Sequence, residues 1–314
     1  MAVTSPIALQ PFAHPALFYQ SEQHYLQSLL DFVTDAVAAA EPVLIALPQP
    51  NLALVRDALG PLAARLTMAD MTTVGRNPGF ILGGVLSAFA DQYPNQAVRM
   101  IGEPVWPTRT DGEYAACVQH EALINKAFAG RDVTVLCPYD ATRLHPETLK
   151  DARATHPELW SDQSAPQISS TFAPDAAWAR YNEPLSTSST AVTRTVRELD
   201  DLHVVRAAAA GFGRWFRLAP DRLDDLVFIT NELATSSLHR TGGPCRLSFW
   251  HHDGLFTVES RDFVRIDDLL AGRRSYLRDT DDGRGLLAVN AIADLVRIHT
   301  APGQTTVHAH LRAS

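Results

Sequence analysis

Residues 228–243 read FITNELATSSLHRTGG, an amphipathic run that ends on a Gly-Gly stop. With PDRLDDLV (220–227) ahead of it, the stretch predicts one long helix that starts at Pro220 and buries Leu223, Leu226, Val227, Thr230 and Leu233. Glu232 and Ser236 are four residues apart and so share a face of that helix. Upstream, Leu202, Val205, Ala209, Phe212 and Phe216 recur at steps of three and four, the pattern of a second amphipathic helix. Downstream, RLSFWHHDGLFTVESRD reads as two strands around the turn Asp253-Gly254. Apolar helical spacing returns in GLLAVNAIADLV (285–296), and VRIHTAPGQTTVHAHLRA closes as another hairpin. Two helices, a hairpin, a polar loop, a helix and a final hairpin predict a two-layer α+β domain. Phe249 and Phe256 fit either an exposed aromatic stripe or the core of that sheet.

The first half of the chain follows another rhythm. Four β-rich runs, at 42–48, 65–71, 97–104 and 132–140, alternate with helical stretches, which predicts a parallel α/β sheet with crossover helices. Ligands of such sheets sit outside the carboxyl ends of the strands. Those ends here are Asp70-Met71, Gly102-Glu103 and Cys137-Pro138-Tyr139-Asp140, and Arg76, Trp106, His120 and Glu121 fall in the segments near them. An aromatic ring, a thiol, imidazole and carboxylates around one crevice suit a small organic ligand or a metal. The competing readings are a core thiol for Cys137, a solvated or capping His120 and a packing role for Trp106. No G-x-x-x-x-G-K-[ST] loop occurs, so nucleotide hydrolysis is not expected in this half. Between the halves, residues 161–190 hold ten Ser/Thr and three Pro without an apolar period and read as linker.

Composition narrows the classes. The 314 residues carry 27 Lys+Arg against 35 Asp+Glu, a net charge of −8, with 46% hydrophobic residues. Length favours two domains, and the acidic balance without a basic block argues against nucleic acid as the main partner. No apolar run reaches the ~20 residues of a membrane span, and the opening MAVTSPIALQPFAHPALF lacks a basic leader, so a cytoplasmic location with no membrane partner is expected. Three separated cysteines form no CxxC pair and suggest neither a disulfide framework nor a zinc ribbon. A small-molecule enzyme built on Cys137 or His120 finds no triad spacing, and HEALI has Ile124 where a zinc protease has its second His. GRGLLA satisfies G-x-G-x-x-A but follows DTDD rather than a strand, which speaks against a dinucleotide site.

Three segments, FITNELATSSLHRTGG, VESRDFVRIDD (258–268) and DDGRGLLAVN (281–290), in this order resemble the nucleotide boxes of the histidine-kinase-like ATPase superfamily, most closely its anti-sigma-factor serine kinase branch. The resemblance covers residues 195–314. It implies that Glu232 is a general base, that position 236 holds Mg²⁺, that Asp262 accepts a hydrogen bond from adenine, and that Gly283, Arg284 and Gly285 belong to a lid over the phosphates of ATP, with Asn231 beside them. Two positions depart from the family. Ser236 stands for an Asn and has no carbonyl to offer the metal, and Val264 replaces the Gly that lets the backbone meet the base. Asn231 does not substitute, because one helical step turns its side chain by about 100°.

Residues 14–157, through HPALFYQSEQHYL, PVLIALP, MADMTTVGRNPGFI, IGEPVWP, CVQHEALINKAF and TVLCPYD, resemble the MEDS sensory domain, a family related to RecA-like sheets. The pairing resembles actinobacterial anti-sigma-factor regulatory proteins. The domains expected are thus 14–157 (sensor), 158–194 (linker) and 195–314 (kinase-like). The resemblance implies a sensory role for the first domain, and the strand-end positions make Asp70, Arg76, Glu103, Trp106, His120, Cys137 and Asp140 the candidate contacts of a small-molecule ligand. For the second it implies a sigma-factor or antagonist partner and homodimerisation, with a degenerate Mg-ATP site. The alternative is an active serine kinase that phosphorylates an antagonist, with Mg²⁺ held through Ser236 and water. No phosphoacceptor helix precedes the second domain, which disfavours a histidine autokinase.

Overall fold

The structure is a computed structural model that describes residues 12–161, 164–278 and 281–313. Most of the opening read for a leader, residues 162–163 of the expected linker and the first two residues of DTDD lie outside the described residues. The chain divides into two compact units, residues 1–71, 92–107 and 124–174 in one, and 72–91, 108–123 and 175–314 in the other.

The first unit is built on an eight-stranded sheet. Its strands are β1 (Phe12–Ala13), β2 (Pro15–Tyr19), β3 (Val43–Leu47), β4 (Thr67–Asp70), β5 (Val98–Gly102), β6 (Val133–Asp140), β7 (Glu158–Ser161) and β8 (Ser164–Ile168). The order is β4-β3-β5-β6-β2-β7-β8, with β1 also beside β6, and every pairing is parallel except β7 with β8. One face is covered by α1 (Glu22–Ala38) and α2 (Gln49–Leu59), which bury Leu29, Phe32, Leu52 and Val55 against Leu17, Ile45, Ile101 and Leu136. Helix α1 starts where the Ser21 side chain accepts from the His24 N–H.

The second unit has an antiparallel sheet in the order β12-β13-β11-β10-β9. These strands are β9 (Val192–Val196), β10 (Cys245–His252), β11 (Leu255–Asp262), β12 (Leu295–Ala301) and β13 (Gln304–Arg312). Both residues of the Asp253-Gly254 turn have positive φ, 47° and 74°, as a tight hairpin of this kind requires. Helices α9 (Leu202–Trp215), α10 (Pro220–Thr241) and α11 (Asp281–Ile292) share the apolar core of this unit, where Val205, Leu226, Leu233 and Val289 meet Phe249, Phe256, Val258 and Val307. Phe249 and Phe256 are therefore sheet core, not an exposed stripe. Gly242, left-handed at φ 59°, ends α10.

Residues 158–194 differ from the expected linker. They add the β7–β8 pair to the first sheet and form the helix Pro174–Arg180 and strand β9. The following segment is held to the second sheet by polar bonds: Asn182 to Thr300, Thr187 to Glu259, and Arg261 to the Leu185 carbonyl. Such bonds leave no apolar periodicity in the sequence, because they run through amide, hydroxyl and guanidinium groups.

Two stretches of the first half are built into the second unit. In one, Pro78–Phe80, Ile81–Ser87 and Ala88–Ala90 form a continuous helix whose middle is wound as a π-helix. Asn77 caps it by accepting from the Gly79 N–H, donates to the Asn290 carbonyl and side-chain oxygen, and accepts from the Val296 N–H. Asn290 in turn donates to the Gly272 carbonyl. Arg76 donates to the Ala291 and Ile292 carbonyls at the end of α11 and pairs with Asp294. A Cβ on Gly83 would lie 2.6 Å from the Arg274 carbonyl oxygen, so only glycine permits this approach. Gly83→Ala is expected to destabilise the chain by about 1–3 kcal/mol. Gly211→Ala on α9, where a Cβ meets nothing within 4 Å, is expected to stabilise by about 0.5–1 kcal/mol. Chemical denaturation of the two variants checks both signs.

Candidate functional site

The second unit contains the three boxes. Glu232 lies on α10, and a Cβ on Gly285 would stand 3.0 Å from its Oε2, so the first turns of α11 approach the carboxylate closely. Asn231 donates to Glu232 Oε1 at 3.1 Å and accepts from Arg206 at 2.8 Å. Ser236, on the same face as Glu232, is buried, and its hydroxyl has no hydrogen-bond partner among the described residues. Gly283 is buried, whereas Arg284 is exposed and lies 5.1 Å above the Tyr276 ring.

Asp262 ends β11 and is 1% exposed. Its Oδ2 accepts from Ser237 at 2.6 Å and from Arg240, both on α10, and its Oδ1 accepts from the Val264 N–H at 3.0 Å. Each carboxylate oxygen thus has a partner, and one partner is a cation. The Val264 side chain is partly exposed, while its carbonyl accepts from Thr305. Arg240 had not been singled out in the sequence. A signal existed: Arg240 lies four residues after Ser236, on the same face of the same helix.

The first unit gathers polar groups at the carboxyl ends of its strands. Glu103 follows β5 and is buried, and it accepts from Tyr25 at 3.0 Å and from Asn51 at 2.9 Å. Burial pushes its carboxyl up to about 7, against the downward pull of the Asn51 and Tyr25 hydrogen bonds, with Asp140 adding to the rise. Tyr19 and Tyr25, with ring centroids 4.6 Å apart, have their hydroxyl pKa values raised by burial first and then by Glu103. Asp140 ends β6 and accepts from Thr142 and from the Arg143 N–H. Among the expected sensor residues, the structure brings Glu103 and Asp140 into one electrostatic neighbourhood. Tyr19, Tyr25 and Asn51 join them unforeseen. The signals were positional: Tyr19 ends a strand, and Asn51 opens the helix after one.

The remaining expected contacts lie elsewhere. Cys137 sits in mid-strand on β6 beside His14, with Sγ 3.5 Å from Nε2. Asp70 ends the edge strand β4, and Trp106 is half-buried in the loop after Glu103. Arg76 and His120 belong to the second unit, Arg76 at the end of α11 and His120 buried on α6 (Asp111–Ala127).

These two sites sit in a parallel α/β domain and a two-layer α+β domain, and comparison with known proteins names both. The MEDS family, described as a methanogen/methylotroph, DcmR sensory domain, matches residues 13–157, and the histidine-kinase-like ATPase domain matches residues 195–311. The chain therefore joins an N-terminal MEDS domain to a C-terminal histidine-kinase-like ATPase domain. Domains of the latter family generally bind ATP with Mg²⁺. No curated protein matches the chain. Among solved structures, a chain of the SiaB–SiaC complex from Pseudomonas aeruginosa is similar over 38% of this chain and 88% of that chain, at 10% identity and a TM-score of 0.32, too distant to bear on function. No described helix is long and apolar enough to cross a membrane.

Glu103 generates a prediction. Its pKa rises from the ordinary 4.5 to about 7 on folding, so the folded chain binds this proton more tightly. The stability this adds is complete below 4.5 and is lost as pH rises through 7. Glu103→Gln removes the titration and keeps a hydrogen-bonding side chain. Thermal melts across that window are expected to show wild type losing Tm relative to the variant, and parallel profiles would contradict the assignment.

Proposed function

We propose that the protein is a signalling regulator whose MEDS domain takes a small-molecule input and whose ATPase-fold domain acts by binding a protein, a sigma factor or an anti-sigma-factor antagonist, without using ATP. The observation that carries this reading is the state of Asp262. The carboxylate that would receive the adenine amino group is buried on Arg240, Ser237 and the Val264 N–H. An adenine amino group that took the place of Arg240 would replace an ion pair with a neutral donor, and removing one partner of a buried pair costs about 3–5 kcal/mol. At the metal position Ser236 supplies a hydroxyl in place of a carbonyl, one fewer strong oxygen ligand for a cation that demands near-octahedral coordination. These residues do not fit Mg-ATP.

Protein binding finds support on the surface of the same unit. Phe263, Tyr276 and Leu277 stand exposed on the segment between β11 and α11, and exposed large apolar side chains that gather into a patch are characteristic of protein interaction sites. A second reading, the active serine kinase, is favoured by the Ser236 hydroxyl on the Glu232 face, which has no partner among the described residues and offers a hydrated cation an oxygen acceptor.

Calorimetric titration with ADP and ATP, with and without Mg²⁺, separates the two. Wild type is expected to give no binding heat, and a Ser236→Asn/Arg240→Gln/Val264→Gly variant to gain nucleotide binding. Saturable binding of Mg-ATP by wild type would overturn the first reading and support the kinase.

A further inference from the structure

His14, Cys137 and His156 come together in the first unit although more than 120 residues separate the first from the second. Strands β1 and β2 run beside β6 in one register, Phe12 opposite Val133 and Ala16 opposite Cys137, with His14 between them. Side chains alternate along a strand, so His14, Ala16 and the paired Cys137 point to the same face of the sheet, away from α1 and α2. Helix α7 (Pro146–Thr155) ends there and delivers His156 as its C-cap. The two imidazole rings lie 4.0 Å apart between centroids, and the ligand-competent atoms of all three residues are within 4.8 Å of one another. All three residues are almost completely buried.

Hydrogen bonding fixes which ring nitrogens carry the protons. His156 Nδ1 lies 2.8 Å from the Ala152 carbonyl, which can only accept, so Nδ1 carries the hydrogen and Nε2 the lone pair. His14 Nδ1 is 3.3 Å from Asn125 Oδ1, and the Asn125 amide is oriented by donating to the Thr155 carbonyl at 2.8 Å. His14 therefore also donates from Nδ1 and turns its Nε2 lone pair toward Cys137, at 3.5 Å. A ring nitrogen spent on a carbonyl oxygen, with the other aimed at a shared point, is the arrangement that surrounds metal-bound histidines. The helix that presents Asn125 also carries a buried carboxylate, Glu121, one turn earlier on the same face.

We propose that His14, Cys137 and His156 form a binding site for a thiophilic divalent transition metal of the zinc class. Two imidazoles and a thiolate suit zinc or cobalt and not Mg²⁺ or Ca²⁺, which take oxygen ligands. Binding replaces the Cys137 S–H bond by a metal–sulfur bond and releases one proton to solvent, so the ion's charge is partly balanced by the thiolate. The bound ion ties the β2–β6 pair to the end of α7, within the MEDS domain. This site is independent of how the C-terminal domain acts.

The test uses the full chain, stripped with a chelator and refolded with Co²⁺ alone, because the site is buried. Expected is one cobalt per chain with a sulfur-to-cobalt charge-transfer absorption, which Zn²⁺ displaces while raising Tm. Cys137→Ser is expected to abolish the band, His156→Gln to weaken binding at least ~10-fold, and Cys117→Ser to leave the band intact. A folded wild type without the band, or a band that survives Cys137→Ser, overturns the proposal. Should the variants fail to fold, the metal content of wild type purified from zinc-supplemented cells decides: one zinc per chain supports the site, and none overturns it.

Discussion

The ion pair between Arg240 and Asp262 is the constraint from which the state of the C-terminal domain follows. A carboxylate at 1% exposure cannot be left unpaired, and here it is satisfied from three directions: Ser237 and Arg240 of α10, and the Val264 N–H just past β11. The pair ties the long helix to the central strand and sets where the segment after β11 leaves the sheet. It also commits Oδ2 of this carboxylate to Ser237 and Arg240, leaving Oδ1 with the Val264 N–H. The backbone at Val264 takes part in the same packing, its N–H donating to Asp262 and its carbonyl accepting from Thr305.

A second constraint lies at the far end of α11. Arg76 and Asn77, from the first half of the sequence, hold the last turn of that helix through its carbonyls, and Asn290 passes the connection to the Gly272 carbonyl. The π-wound helix that follows presents Gly83 to the backbone at Arg273 and Arg274. Residues conventionally counted with the sensory domain thus form part of the packing of the ATPase-fold unit. Residues 72–91 pack on α11 and on the segment before it through these bonds and the Gly83 approach.

Much of this was legible in the sequence, for identifiable reasons. The runs at 42–48, 97–104 and 132–140 became β3, β5 and β6 because buried parallel strands are largely apolar, and the run at 65–71 became the less buried edge strand β4. The Asp-Gly hairpin and the Pro220 start of α10 were equally local signals. What was not legible depends on long-range pairing. His14 and His156 acquire meaning only when the β2–β6 register brings them to Cys137, and Tyr25 and Asn51 only when their helices meet Glu103. Residues 158–194 misled because their order comes from strand pairing and hydroxyl bonds, which leave no apolar period.

The most direct test of a nucleotide-independent, protein-binding output is the affinity of the purified chain for individual sigma factors and anti-sigma-factor antagonists, measured with and without saturating Mg-ATP. The account predicts a stable complex with one of these partners whose affinity is the same in both conditions, and no phosphate on the partner afterwards. A complex that forms only with Mg-ATP, or an antagonist that emerges phosphorylated on serine, would contradict it.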